Sequence, residues 1–192
     1  TEASLDDRTS ILEEEIQSHD PAVRSVIVNA LDHVLETNHY TRTSGAEDQG
    51  SGPAMRDYQP TGLELGRNWD RAVGMLADIA AAQTEEGVHA RNLLAGRIRG
   101  LIGQGRLDAV EAAVNLVLMA TDNYWPRALE SVSEALEYEG SGMPPEYIQR
   151  VTVLRNKLMP TSLRDRIRLL VLIRGHIRPL DSRHNEATRF AA

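Results

Sequence analysis

Apolar residues recur every three or four positions through most of this chain. In DPAVRSVIVNALDHVLE, from Asp20 to Glu36, Val23, Val26, Ile27, Ala30, Leu31, Val34 and Leu35 fall on one side of a helix with 3.6 residues per turn. Asp20 is placed to cap that helix, and Pro21 occupies the first helical position, where a missing N–H costs nothing. The same period predicts a helix opening at Ser4, with Asp6 and Asp7 in its first turn and a rough stripe of Leu5, Ile11, Leu12 and Ile16. Further helices are predicted from Leu63 or Asn68 to about Gln83, then over 87–103, 107–121, 124–140 and 143–160. A last one starts with Thr161 or Ser162 as cap and Asp165 near the third helical position. The Gly-rich end of GRIRGLIGQG matches a glycine-terminated helix.

One segment breaks the period. Residues 40–62, YTRTSGAEDQGSGPAMRDYQPTG, are rich in Gly, Ser, Thr, Asp and Pro and read as a long loop, either a disordered insertion or a functional one. Its composition predicts mobility from about Thr41 to Gln59, with tryptic cleavage first near Arg42 or Arg56. The expected organisation is one helical domain over 1–180, carrying the insertion at 40–62, and a polar tail over 181–192.

The helices have similar lengths and short connections, which invites a search for a repeat of about 40 residues. DPAVRSVIVNAL, EGVHARNLLAGRI and YWPRALESVSEAL share a helix start, an Ala or Val near an Arg, and a later Ala or Leu pair. Val23, Val88 and Ala128, taken as equivalent core positions, are 65 and 40 residues apart, and removing the 23-residue loop brings the first interval to 42. The first of these segments resembles the second helix of a HEAT repeat, on Asp20, Pro21, Val23, Arg24, Ala30 and Leu31. The match at Val88, Ala90 and Arg91 is partial, and over 124–136 it lacks the Val-Arg pair. The resemblance implies an all-α fold of about seven helices, with antiparallel pairs stacked as a short α-solenoid around a concave face that holds a partner. It also implies that Asp20 and Arg24 are structural. The plainer alternative is a non-repeating bundle, in which such pairs arise by chance. WDRAVGMLADIA and YWPRALESVSEAL also resemble the helical C-terminal regions of large bacterial multidomain NTPases used in defence or signalling, although no phosphate-binding loop is present.

Composition supports the helical reading. Aromatics make up 4% of the chain, so a core of Leu, Val, Ile and Ala packed helix on helix suits it better than a sheet. The absence of cysteine excludes disulfides and thiolate chemistry and fits a cytoplasmic location. No apolar run approaches the roughly 20 residues needed to span a bilayer. A first residue other than Met suggests a piece of a longer polypeptide, with neighbouring domains or a separate protein as partner. Residues 1–144 carry 24 acidic residues against 11 arginines, a net of −13, whereas residues 145–192 carry 4 against 10 basic residues, a net of +6.

No catalytic, metal-binding or cofactor-binding motif stands out. No two of the six histidines stand three or four positions apart with a carboxylate to make a preformed site, and there is no HExxH. Asp32, His33 and His39 could meet Glu47 and Asp48, but surface or capping roles account for them, and a solvated face accounts for Glu13, Glu14 and Glu15. Asp70, Asp78 and Asp108 lie close to apolar faces and read as helix-surface or cap positions. Trp69 and Trp125 suit packing between repeats or a protein contact. The expected activity is therefore non-catalytic, a protein-interaction or sensing module whose partner surface gathers Tyr40, Tyr58 and Trp69 around the insertion. The alternative is a nucleic-acid-binding or nucleic-acid-processing helical protein using Arg164, Arg168, Arg174 and Arg178 on phosphates, against which stand the acidic remainder and the lack of a groove-reading motif.

Overall fold

Eight α-helices follow one another in the described residues, each close to where the apolar period places it. The computed structural model describes residues 3–37 and 59–172. The helices are α1 (Leu5–Glu15), α2 (Pro21–Val34), α3 (Gly62–Ala80), α4 (Glu85–Gly103), α5 (Leu107–Ala120), α6 (Pro126–Glu134), α7 (Pro145–Leu158) and α8 (Leu163–Leu172). Beyond α6 the chain widens into a π-helical turn, Ala135–Glu139, and then a 3-10 turn, Gly140–Gly142. Ser4 and Asp7 form a reciprocal capping box at the start of α1, as Thr61 and Glu64 do for α3, which therefore begins at Gly62 rather than at Leu63 or Asn68. Asp20 caps α2 ahead of Pro21, and the Ser162 hydroxyl accepts from the Asp165 amide to open α8. At the end of α4, Gly105 takes φ +75°, while the Gly105 and Arg106 amides donate back to the Ile102 and Leu101 carbonyls, so the expected glycine stop is a Schellman motif.

Three helices share an unforeseen device. Arg8, Arg24 and Arg166 each stand four residues after the cap and send the guanidinium back to a carbonyl just before it, those of Ala3, Ser18 and Pro160. Arg24 also pairs with Glu86 at 3.3 Å, so its donors meet a carbonyl and a carboxylate, as its structural assignment requires.

Polar pairs fix how the helices lie. From α2 to α4 the partners advance together: Arg24 with Glu86, Asn29 with His89, then Asp32 and Glu36 with Arg97. From α4 to α6 the Ala95 carbonyl meets Ser131 and Arg99 meets Glu139. From α1 to α3, Asp6 meets Arg67, Thr9 meets Asn68 and Glu13 meets Arg71. Asp70 with Arg106 and the Ala120 carbonyl with Gln83 tie α3 to α5, while Asp108 with Arg150 and Asn115 with Lys157 tie α5 to α7. Helices two apart in the chain are therefore parallel. The odd-numbered helices α1 to α7 form one row and α2, α4 and α6 another, with α3 and α4 packed as an antiparallel hairpin through a short turn.

The register measures the repeat. Paired residues are 58 to 65 positions apart across the insertion and 36 to 42 apart after it, so the bounds differ by 22 and 23 residues. That difference matches the length of the 40–62 segment, of which 40–58 lie outside the described residues. The expected anchors need correction within this period. Val88 is 49% exposed and Val23 only partly buried, while Ala128 is fully buried. In the observed register the buried equivalents are Val28, Ala90 and Ala128, followed by Leu31, Leu94 and Val132. Matching the Val-Arg letters set the register by a surface feature, whereas burial follows the helix face.

The core between the rows is aliphatic. Leu31, Leu35, Leu76, Leu94, Ile98, Leu101, Ile102, Leu107, Leu118, Leu129 and Leu158 are fully buried, each contributing on the order of 1.5–3 kcal/mol of transfer free energy. Among the described residues no helix is long and apolar enough to cross a membrane.

Candidate functional site

A cleft of about 320 Å³ opens between α4 and α6. Asn92, Ala95 and Gly96 of α4 line one side, and Arg127, Glu130, Ser131 and Glu134 of α6 the other. The Ser131 hydroxyl donates to the Ala95 carbonyl at 2.6 Å and clamps the helices together at the floor, its lone pairs remaining free to accept.

The charges of the cleft differ from those that join the helices. Elsewhere carboxylates and arginines cross between helices: Arg97 forks onto Asp32 at 2.7 and 2.8 Å, Arg71 onto Glu13 at 2.9 and 2.8 Å, and Arg150 reaches both Asp108 and Glu111. Hydrogen bonds donated to the partner carboxylates push the Arg71, Arg97 and Arg150 guanidiniums further toward the charged form, and Arg71 holds the Glu13 carboxyl below its ordinary range. Burial raises the Tyr147 phenol, whose hydroxyl donates to the Ile102 carbonyl at 2.8 Å, and lowers Arg155, whose Nε donates to Ser133. In the cleft, by contrast, Arg127, Glu130 and Glu134 make neither a hydrogen bond nor an ion pair within the described residues.

Those three charges also oppose local preference. Arg127 sits in the first turn of α6, where the helix dipole disfavours a cation. That placement costs about 0.3–1 kcal/mol. Glu130 and Glu134 repel one another across one turn, and Arg127 precedes Glu130 in the less favourable order, without pairing to it. Gly96, in mid-helix, costs roughly 0.5–1 kcal/mol relative to Ala, yet a Cβ there would meet nothing within 4 Å. Gly87 and Gly100 differ, because a Cβ on them would strike the Ala82 carbonyl and the Thr37 hydroxyl. Chemically, the cleft offers two carboxylates to a cationic group, a guanidinium to an anionic one, and a small-residue floor.

The residues expected to carry function are dispersed. Trp69 lies on α3, partly buried and packed against the core, while Tyr40 and Tyr58 lie outside the described residues. Trp125 is 4% exposed at the start of α6, its indole N–H without a partner in the described residues. Asp70 and Asp108 are exposed and paired with Arg106 and Arg150, and Asp78 is exposed. Asp32 is bound by Arg97, His33 stands 4.0 Å from Glu36, and His39, Glu47 and Asp48 lie outside the described residues. Glu13, read as part of a solvated run, holds α1 to α3 through Arg71. Of the basic C-terminal residues, Arg150, Arg155 and Lys157 serve helix packing, and Arg168 meets Asp165 at 3.5 Å. Arg164 is exposed without a partner in the described residues, and Arg174 and Arg178 lie outside them.

The cleft was missed because its walls are 30 to 40 residues apart in sequence and meet only through the α4–α6 register. Two signals were available: an unexplained glycine inside a helix and an arginine at the wrong end of another. Among the described residues no group of three or more His, Asp or Glu side chains is placed to hold a metal. No protein-family model, no curated protein and no solved structure matches the chain.

Proposed function

We propose that this chain is a non-catalytic protein-interaction module, a short HEAT-like stack of helix pairs that holds a partner in the cleft between α4 and α6. The observation that carries this reading is the contrast in charge use. Arg71, Arg97 and Arg150 lock neighbouring helices together, whereas Arg127, Glu130 and Glu134 gather unpaired in one cleft beside Gly96, where a Cβ would meet nothing within 4 Å. Sites that break local rules without an internal gain are where an external partner supplies the compensation. The parallel register of alternate helices and its spacing of 36 to 42 residues support the stack.

The test is comparative affinity capture from the parent cell with the wild-type chain and with Gly96→Leu, whose side chain would fill the cleft. A protein retained by the first and lost by the second, with melting unchanged or raised, is the expected result. Identical retention by both would overturn the assignment. The nucleic-acid alternative is read in the same preparation by titrating labelled DNA and RNA oligonucleotides. Tight, steeply salt-dependent binding lost on Arg164→Ala and Arg168→Ala would favour it instead.

A further inference from the structure

Resting on the interaction reading above, we infer that the cleft takes a polypeptide segment of mixed charge, laid with a basic side chain at Glu130 and Glu134 and an acidic one at Arg127. The polarity follows from α6 itself. Arg127 and Glu134 are seven residues apart on one helix face, about 10 Å along the axis. That separation corresponds to two turns of a bound helix or about three residues of an extended strand. A segment with the reverse order of charges would face like charge at both ends.

Each part of the lining has a role in this arrangement. Two carboxylates one turn apart repel in the free protein, and a guanidinium or ammonium between them removes the repulsion while gaining charge-assisted hydrogen bonds. Arg127, whose charge adds to the positive end of α6, is relieved by a carboxylate presented to it. Gly96, exposed above the buried Ala95, leaves the opposite wall bare, so that a backbone can approach α4 closely, as glycine permits. Asn92, exposed at the same wall, supplies an amide that both donates and accepts toward that backbone. A nucleic acid fits poorly, since its phosphates would meet two carboxylates for one guanidinium.

Random twelve-residue peptides displayed on phage, selected on the immobilised full chain, test both the site and its chemistry. Affinities of the enriched sequences are then measured by fluorescence anisotropy. Enriched peptides are expected to carry a Lys or Arg and an acidic residue at a spacing that spans about 10 Å. Glu130→Gln and Glu134→Gln should each weaken them by about two- to fivefold, the range for partly exposed ion pairs, and Arg127→Ala by a similar factor. Gly96→Leu should abolish binding, whereas Gly74→Leu, at another open helical glycine, should leave it unchanged. Circular dichroism melting confirms that both variants are folded. Peptides that show no basic enrichment would sink this inference and leave the interaction reading standing, whereas peptides that bind Gly96→Leu as tightly as wild type would count against the cleft and so against both. Enrichment of no peptide at all would count against both.

Discussion

Three helical glycines give opposite answers to one substitution, and the structure supplies the sign and size of each. In Gly96→Ala and Gly74→Ala the new methyl group meets nothing within 4 Å, so packing is undisturbed and backbone entropy dominates. Each should stabilise the chain by about 0.5–1 kcal/mol. For a domain of this size that corresponds to a rise of roughly 1–4 °C in melting temperature. Gly87→Ala should do the reverse. Its methyl would overlap the Ala82 carbonyl oxygen, a backbone atom that cannot swing aside, and would crowd the Ile79 carbonyl at 3.0 Å. Forcing α3 and α4 apart there should cost about 1–3 kcal/mol, more than the helix preference returns. Urea unfolding followed by far-UV circular dichroism measures all three, and the Gly74 and Gly96 effects should add, since the sites are on different helices with no shared partner. A destabilising Gly96→Ala would show that the glycine has a packing role, and a neutral Gly87→Ala would show that the α3–α4 turn is looser than its geometry. Either result would refute the steric basis on which Gly96 is assigned to a partner.

Arg24→Ala should lower the melting temperature by a few degrees at most, about 1 kcal/mol or less, because the guanidinium is 35% exposed and water replaces part of its contact with Glu86; unchanged stability would show that the returning arginine is ornamental to the fold. The docking of α1 should weaken in acid before the rest of the structure. The Arg71 hydrogen bond, then burial in the opposite sense, sets the Glu13 carboxyl below its free value of 4.5, so its contribution is complete above 4.5 and is lost as pH falls through the lower folded value. Hydrogen exchange between pH 6 and 3 should show protection factors for α1 amides falling ahead of those in α4, with Glu13→Gln already reduced at pH 6. Simultaneous loss in both helices would contradict this.

Legibility in the sequence tracked the range of the interaction. Ser4, Asp20, Pro126 and Gly105 act within a turn or two, and each placed a helix end near where the structure has it. A spacing of about 40 residues was legible in outline, and paired residues after the insertion stand 36 to 42 positions apart. Its phase was not: Val88 shares letters with Val23 but faces solvent, and the buried series passes through Ala90, which no motif marks out. Arg71, Arg97 and Arg150 were anonymous for the same reason. Their partners Glu13, Asp32 and Asp108 are 42 to 65 residues away, and which carboxylate an arginine meets depends on the register rather than on neighbouring sequence. The cleft needed both steps, since it exists only once α4 and α6 lie side by side and the pairing elsewhere is known.

The pairing pattern also explains why a charged cleft persists at α4–α6 and not between the other even-numbered helices. Between α2 and α4 the equivalent surface is closed by Arg97, which forks onto Asp32 and reaches Glu36, and by Thr37 packed against Gly100. One step further along the row, Arg99 turns to Glu139 and lies 4.7 Å from the Tyr138 ring centre, so it anchors the π-helical turn beyond α6 instead of the helix body. The body of α6 is thus joined to α4 by Ser131 and by buried apolar contacts through Ala128 and Val132, while its outer charges receive no partner from α4. Gly96 stands where a longer side chain on α4 could have met Glu134. An arginine at that position would extend the ladder of cross-helix pairs by one rung and fill the gap. Its absence costs stability twice, through the glycine and through the unrelieved carboxylates, and under the proposed function a bound segment that brings its own cation relieves the second.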